Sequence, residues 1–222
     1  MLLPMAKKRL RAVFFGPHGS GKRTQAERLA QVFGVPWLTA GSLLREEIEG
    51  KTAIGALVED YVEQGMLVPD DLVNPVLLRK IRRYVNAEKG FVLEGYPRNV
   101  EQASALEKVA KVQVAIHLKL SDEAARERVD GRRDCPACRS VFHLEEVPPG
   151  PLETCTRCGH GLQGRPTDHP EAFYSRQAIY HFMTEPLVSF YRQKGVLLTV
   201  KADQSIEQLH TEIQEKLRRL GF

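Results

Sequence analysis

Residues 11–34 spell out a strand, a glycine-rich loop and a helix in immediate succession. Arg11-Ala12-Val13-Phe14-Phe15 is a short apolar run of the kind that forms a buried strand. Gly16-Pro17-His18-Gly19-Ser20-Gly21-Lys22-Arg23-Thr24 follows. Gln25 to Gly34 then carries apolar residues at helical spacing, with Gly34 as the C-terminal stop. This context turns a glycine pattern into an anion site. Glycines leave backbone N–H groups facing an anion, and the helix N-terminus beyond adds positive potential. Lys22 brings a full charge to where a β- or γ-phosphate would sit. A chance glycine-rich turn would not bring strand, helix, lysine and hydroxyl into one register.

A chain of 222 residues holds one large α/β core with insertions, or two small domains. Its 42% hydrophobic and 27% charged residues are ordinary for a globular protein, and a net charge of +4 does not argue for nucleic acid or membrane. No apolar run approaches a membrane span, and Met1 to Met5 is too short for the core of a signal peptide. Residues 1–8 are expected to be an unstructured leader, with Met5 a candidate start, and the cytosol is the expected home. All four cysteines fall within 24 residues, as Cys135-Pro136-Ala137-Cys138 and Cys155-Thr156-Arg157-Cys158 with sixteen residues between the pairs. In a cytosolic chain, two such knuckles point to Zn²⁺ held by four thiolates; free thiols or disulfides are the alternative. Four cysteines leave no open coordination position, so the metal is expected to be structural and to close a ribbon too small to fold alone. His143 and His160 would substitute only if a cysteine were unused.

The remaining pattern alternates strands and helices. Strands are expected at 35–39, 91–94, 112–120 and 195–200. Helices are expected after Ser42 as N-cap, over 54–66, from an Asp70 or Asp71 cap to about Val85, from Ser121 through Arg133, from Glu171 to about His181, and over 205–219. Arg128 and Arg132, four apart, are expected on one helix face. His117 falls inside a strand and reads as a packed residue. Val141 to Leu144 and Pro148 to Pro151 read as a strand and a turn between the cysteine pairs.

Several of these segments resemble the adenylate kinase branch of the nucleoside monophosphate kinases, in its long form with a zinc-binding lid. That branch usually carries Gly-Lys-Gly-Thr; here Arg23 replaces the glycine before Thr24, and His18 replaces a proline. Gly41, Leu44, Arg45, Gly65, Leu67, Val68 and Asp71 match the branch's monophosphate-binding segment, while Thr39, Ala40 and Ser42 depart from it. Gly95-Tyr96-Pro97-Arg98 followed by Gln102 matches the next motif, with Glu94 where the family has aspartate. Arg128 and Arg132 fit an arginine motif before the lid. Arg165 and Arg176 fit one after it, where Thr167 stands for the first of two aspartates and Asp168 keeps the second.

The resemblance implies an α/β P-loop fold of three layers, with a five-stranded parallel sheet, a helical monophosphate-binding insertion and a zinc-ribbon lid. The core would comprise 9–38, 67–131 and 169–222, the insertion 39–66 and the lid 132–168. The implied reaction is Mg·ATP + AMP ⇌ 2 ADP. ATP would lie against Gly16, Gly19, Ser20, Gly21, Lys22, Arg23, Thr24, Arg128 and Arg132. AMP would lie against Ala40, Arg45, Gly95, Arg98, Gln102, Arg165 and Arg176. Lys22, Arg98, Arg132, Arg165 and Arg176 are the catalytic candidates. Glu94 would meet Mg²⁺ through water, and Cys135, Cys138, Cys155 and Cys158 would hold Zn²⁺. A monomer is expected. Ala40 and Asn99 resemble pyrimidine-accepting relatives whereas Gln102 points to a purine, which favours AMP over GMP, UMP or CMP. A low-activity member, given Arg23, Ser42, Glu94 and Thr167, is a further alternative. So is a zinc-ribbon nucleic-acid-binding protein, but residues 121–176 hold eight arginines, no lysine and ten acids, a net −2 that suits directed phosphate contacts better than tracking a nucleic-acid backbone.

Overall fold

Alternation along the central strands builds two cores, one on each face of a sheet. The computed structural model describes residues 9–222 other than 65, 139, 145–152 and 166–167; the expected leader, the turn at 148–151 and Thr167 lie outside the described residues. The first half of the chain runs β1 (Arg11–Phe15), α1 (Lys22–Phe33), β2 (Trp37–Thr39), α2 (Ala40–Glu49), α3 (Ala53–Glu63), α4 (Asp70–Asn86), β3 (Phe91–Glu94) and α5 (Val100–Val109). The second runs β4 (Val114–Lys119), α6 (Asp122–Asp130), β5 (Arg132–Asp134), β6 (Val141–His143), α7 (Pro170–Ile179), a π-helical turn Tyr180–Thr184, α8 (Leu187–Gln193), β7 (Leu197–Lys201) and α9 (Ile206–Arg219).

Five strands form one parallel sheet in the order β2-β3-β1-β4-β7. Val13, Phe15, Leu38, Phe91, Leu93 and Ala115 face one way and pack with α2, α3, α4, α5 and α8 through residues such as Leu43, Val58, Leu77, Leu106 and Tyr191. Ala12, Phe14, Val92, Ile116, Leu118 and Val200 face the other way and pack with Ala26 and Leu29 of α1 and Leu209, Ile213 and Leu217 of α9. This is the expected three-layer α/β architecture. Each fully buried Leu, Ile or Phe contributes roughly 1.5–3 kcal/mol. β5 and β6 pair separately, antiparallel, at the base of the cysteine ribbon.

Four local expectations are corrected. α1 begins at Lys22 rather than Gln25, because Gly21, at φ +81°, turns the chain directly into the helix. Thr39, not Ser42, caps α2: it is extended, and its Oγ1 accepts from Ser42 N at 2.9 Å. Pro69 occupies the cap position of α4, leaving Asp70 and Asp71 in the first turn. α6 stops at Asp130 and Arg132 opens β5, so Arg128 and Arg132 share no helix face. An added Cβ on Gly131 would lie 2.1 Å from His143 Nε2, and this close packing of the ribbon ends the helix there.

Candidate active site

In a parallel sheet the strands deliver their C-terminal ends to one crevice. Here β1 and β3 end at Phe15 and Glu94, beside the glycine loop and the Gly95–Arg98 turn. The glycines are needed for close approach: a Cβ on Gly16 would lie 2.4 Å from Leu118 O, and one on Gly19 (φ +84°) 2.7 Å from Ala125 O. No side chain caps the N-terminus of α1, which leaves its first-turn N–H groups without a side-chain acceptor. Buried Ser20 donates from Oγ to Pro17 O at 2.8 Å. Lys22 Nζ donates to the same carbonyl at 2.6 Å, closing the loop over itself. Desolvation pushes the Lys22 ammonium down to about 8; Glu94 opposes this, and Arg98 and Arg132 reinforce it. Arg23 lays its guanidinium over Trp37, 5.3 Å from the ring centroid, so its charge is directed to β2.

The arginines expected to act on the transferred group are drawn together. Arg132 grips Asp168 through two hydrogen bonds, Nε to Oδ2 at 2.7 Å and Nη2 to Oδ1 at 2.5 Å, with the Asp168 side chain only 8% exposed. Arg176 Nη1 lies 3.8 Å from the same Oδ1. His18 Nε2 stands 3.3 Å from both Arg132 Nη2 and Arg176 Nη1. Arg165 pairs in a fork with Asp134. Arg98 Nε donates to Gly95 O at 2.9 Å. Arg98 remains exposed to solvent, but desolvation by the surrounding protein lowers its guanidinium pKa, with Arg176 adding to the effect and Glu94 countering it. Burial also depresses that of Arg176, with Arg132 and Arg165 adding and Asp168 countering. An unbroken chain of mutual repulsion thus links Lys22, Arg98, Arg132, Arg176 and Arg165. Asp168 and Asp134 offset part of this charge, and the cationic excess that remains suits an anionic ligand.

On the other side, Gln102 is buried and its carboxamide is engaged at both ends. Oε1 accepts from Arg98 N at 2.7 Å, and Nε2 donates to Asp70 Oδ1 at 2.6 Å. Asn99 caps α5 and donates from Nδ2 to Asp70 Oδ2 at 2.8 Å. Ala40 is buried, Arg45 is exposed on α2, and Gly95 adopts φ +76°. Thr24 is half-buried in the first turn of α1. Arg128 stands apart from the cationic chain: Nη2 donates to Gln204 O at 2.8 Å, and desolvation lowers its pKa against the pull of Asp203.

Four cysteine sulfurs lie within 4.8 Å of one another. Cys135 and Cys158 are 3.4 Å apart at sulfur and Cys138 and Cys155 3.5 Å, with Cys135 and Cys155 buried. A tetrahedral zinc–thiolate shell with bonds near 2.3 Å needs sulfurs roughly 3.8 Å apart, so the donor set fits that ion. His160 reaches this loop through its carbonyl, which accepts from Cys155 N at 2.8 Å. His117 is packed as expected, stacked on Phe15 with ring centroids 5.0 Å apart and 3.1 Å from Tyr180 OH.

Sequence reasoning gives Asp134 and the imidazole of His18 no role, Asp70 only that of a candidate helix cap, and Asp168 only that of the second aspartate of the motif after the lid. An available signal was the imbalance of the arginine-rich segment, whose acids outnumber its arginines and so must serve as their partners.

The family model described as Adenylate kinase matches residues 14–196. The chain is 33% identical over 213 residues to an "Adenylate kinase" of Caldanaerobacter subterraneus subsp. tengcongensis, covering 94% of this chain and 96% of the relative. It is 37% identical over 213 residues to one of Pyrococcus horikoshii, with 94% of each covered. It is 38% identical over 211 residues to one of Symbiobacterium thermophilum, covering 93% and 97%.

Proposed function

We propose that this chain, which belongs to the adenylate kinase family, catalyses reversible phosphoryl transfer from Mg·ATP to AMP, giving two ADP. The observation that carries the reading is the run of mutually repelling cations from Lys22 to Arg165 at the C-terminal edge of the sheet. Phosphoryl transfer asks a protein mainly for positioning and charge neutralisation, and this arrangement supplies both. Lys22 and the N–H groups of the glycine loop hold the donor phosphates, with Ser20, Arg23 and Thr24 contributing from the loop and first turn. Arg132, Arg165 and Arg176 neutralise charge on the group in flight. Arg45 and Arg98 orient the acceptor phosphate. No side chain is assigned as a general base.

Glu94 would meet the Mg²⁺ that accompanies the nucleotide through water, and that ion would supply charge neutralisation on the phosphates. Cys135, Cys138, Cys155 and Cys158 would hold Zn²⁺, and four thiolate bonds would cross-link the ribbon of a lid spanning 132–168. That lid closes over bound donor and excludes water as a competing acceptor. Arg128 lies along the donor base. Gln102 reads the acceptor base with the second N–H of Nε2 or the second lone pair of Oε1, while Asp70 and the Arg98 N–H hold the first of each. Among the described residues no helix is long and apolar enough to cross a membrane. We place the chain in the cytoplasm as a monomer whose partners are ATP, AMP and ADP.

Initial rates with AMP, GMP, UMP and CMP at fixed Mg·ATP test the assignment. AMP is expected to turn over at least about tenfold faster than the others, the scale on which a hydrogen-bonding site separates bases. Equal rates across the four would remove it.

A further inference from the structure

We propose that His18 is a positioning residue for phosphoryl transfer, its Nε2 acting as a shared acceptor that holds the guanidinium groups of Arg132 and Arg176 side by side. The proposal rests on the reaction assigned above. Both arginine nitrogens lie 3.3 Å from Nε2. A guanidinium has donors only, so Nε2 must present its lone pair and the ring proton must sit on Nδ1. Asp168 Oδ1 lies 3.7 Å from the same nitrogen and offsets one of the two positive charges.

The backbone beneath the ring is equally fixed. His18 N donates to Gln177 Oε1 at 3.0 Å, and Gln177 Nε2 donates to Asp122 Oδ1 at 2.8 Å, with Gln177 buried. The ring faces Phe173 with centroids 6.4 Å apart. The charged groups acting on it are Lys22 from the first turn of α1, Arg132 from β5, Arg176 from α7 and Asp168 before α7. Desolvation, then Arg132, Arg176 and Lys22, push the imidazole down to about 3 against the single carboxylate. A charged ring there would add a fourth cation to Lys22, Arg132 and Arg176 and offer no acceptor. The proline usual at this position in the resembling loops has no side-chain acceptor, so the contact belongs to this sequence.

Two readouts test the proposal. The chain has seven histidines. In ¹⁵N spectra of the nucleotide-free full chain, the His18 signals, assigned by their loss in His18→Leu or His18→Gln, should show an unprotonated Nε2 from about pH 8 to about pH 5.5. Titration near the ordinary histidine value would overturn the proposal. In the kinetic arm, His18→Leu should lower kcat about tenfold with both KM values within about threefold, the size of one lost charge-assisted hydrogen bond. His18→Gln, whose carbonyl can accept, should recover to within about threefold of the parent. Equal losses in both variants, or a change confined to KM, would refute it. If His18→Leu loses its cooperative thermal transition, the spectra and the His18→Gln rate decide by the same limits. Inactivity of the parent chain with Mg·ATP and AMP would sink the reaction assignment instead, and the ¹⁵N readout is independent of turnover.

Discussion

Lys22 pairs its proposed catalytic charge with a local cost. Its ammonium is drawn onto Pro17 O and pushed down to about 8 from an ordinary 10.5, first by desolvation. For a lysine that sign means the unfolded chain binds more protons between those two values, so the strain is present below pH 8 and relieved as pH rises above it. Two outcomes follow. The kcat/KM for Mg·ATP should fall as pH rises through about 8, and Lys22→Arg should move that limb upward. Lys22→Met should cut turnover by roughly a thousandfold or more while the melting temperature at neutral pH stays level or rises. A near-parental rate would refute the assigned role. The residue types of the site were legible because lysine, arginine and glycine fell in motif order. Their counter-ions were not, since nothing local in the sequence joins Asp168 to Arg132 thirty-six positions away, or Asp70 to Gln102.

At the scale of elements, the ribbon shows what spacing reveals and what it hides. Two Cys-x-x-Cys pairs dictate the cluster, because each knuckle brings its own two sulfurs together whatever surrounds it. The end of α6 was misread: the stop signal at Gly131, which caps the helix, was read through, and the packing of Gly131 against His143 and the pairing of β5 with β6 accompany the end at Asp130. The α2 cap was displaced for the same reason, since Thr39 becomes available only once β2 has placed it extended. β5 and β6 are three residues each, and among the described residues of the ribbon only Cys135 and Cys155 are buried, so a metal on the four thiolates would supply much of its stability. Chelation should therefore speed tryptic cleavage at Arg133 and Arg157 severalfold while moving the main unfolding transition by less than about 3 °C. Unchanged cleavage would exclude the four-thiolate site.

For the molecule as a whole, the double-sided sheet was legible because each strand is an apolar run and each helix between them carries one apolar stripe. The residues proposed to bind nucleotide lie on separate segments that this sheet only brings near one another, so filling the cleft should tie them together. Each substrate at about a hundred times its dissociation constant stabilises the native state by about 2.7 kcal/mol. For a chain of this length that corresponds to a rise of roughly 5–10 °C in melting temperature, measurable by scanning calorimetry. Adenosine in place of AMP should give little of it, because Arg45 and Arg98 would have no phosphate to hold. Trp37 is the sole indole in the sequence, and it lies under the guanidinium of Arg23, the residue next to Lys22. The protein thus carries its own optical gauge: tryptophan emission, with no dye attached, will register any shift of that first turn as nucleotide arrives.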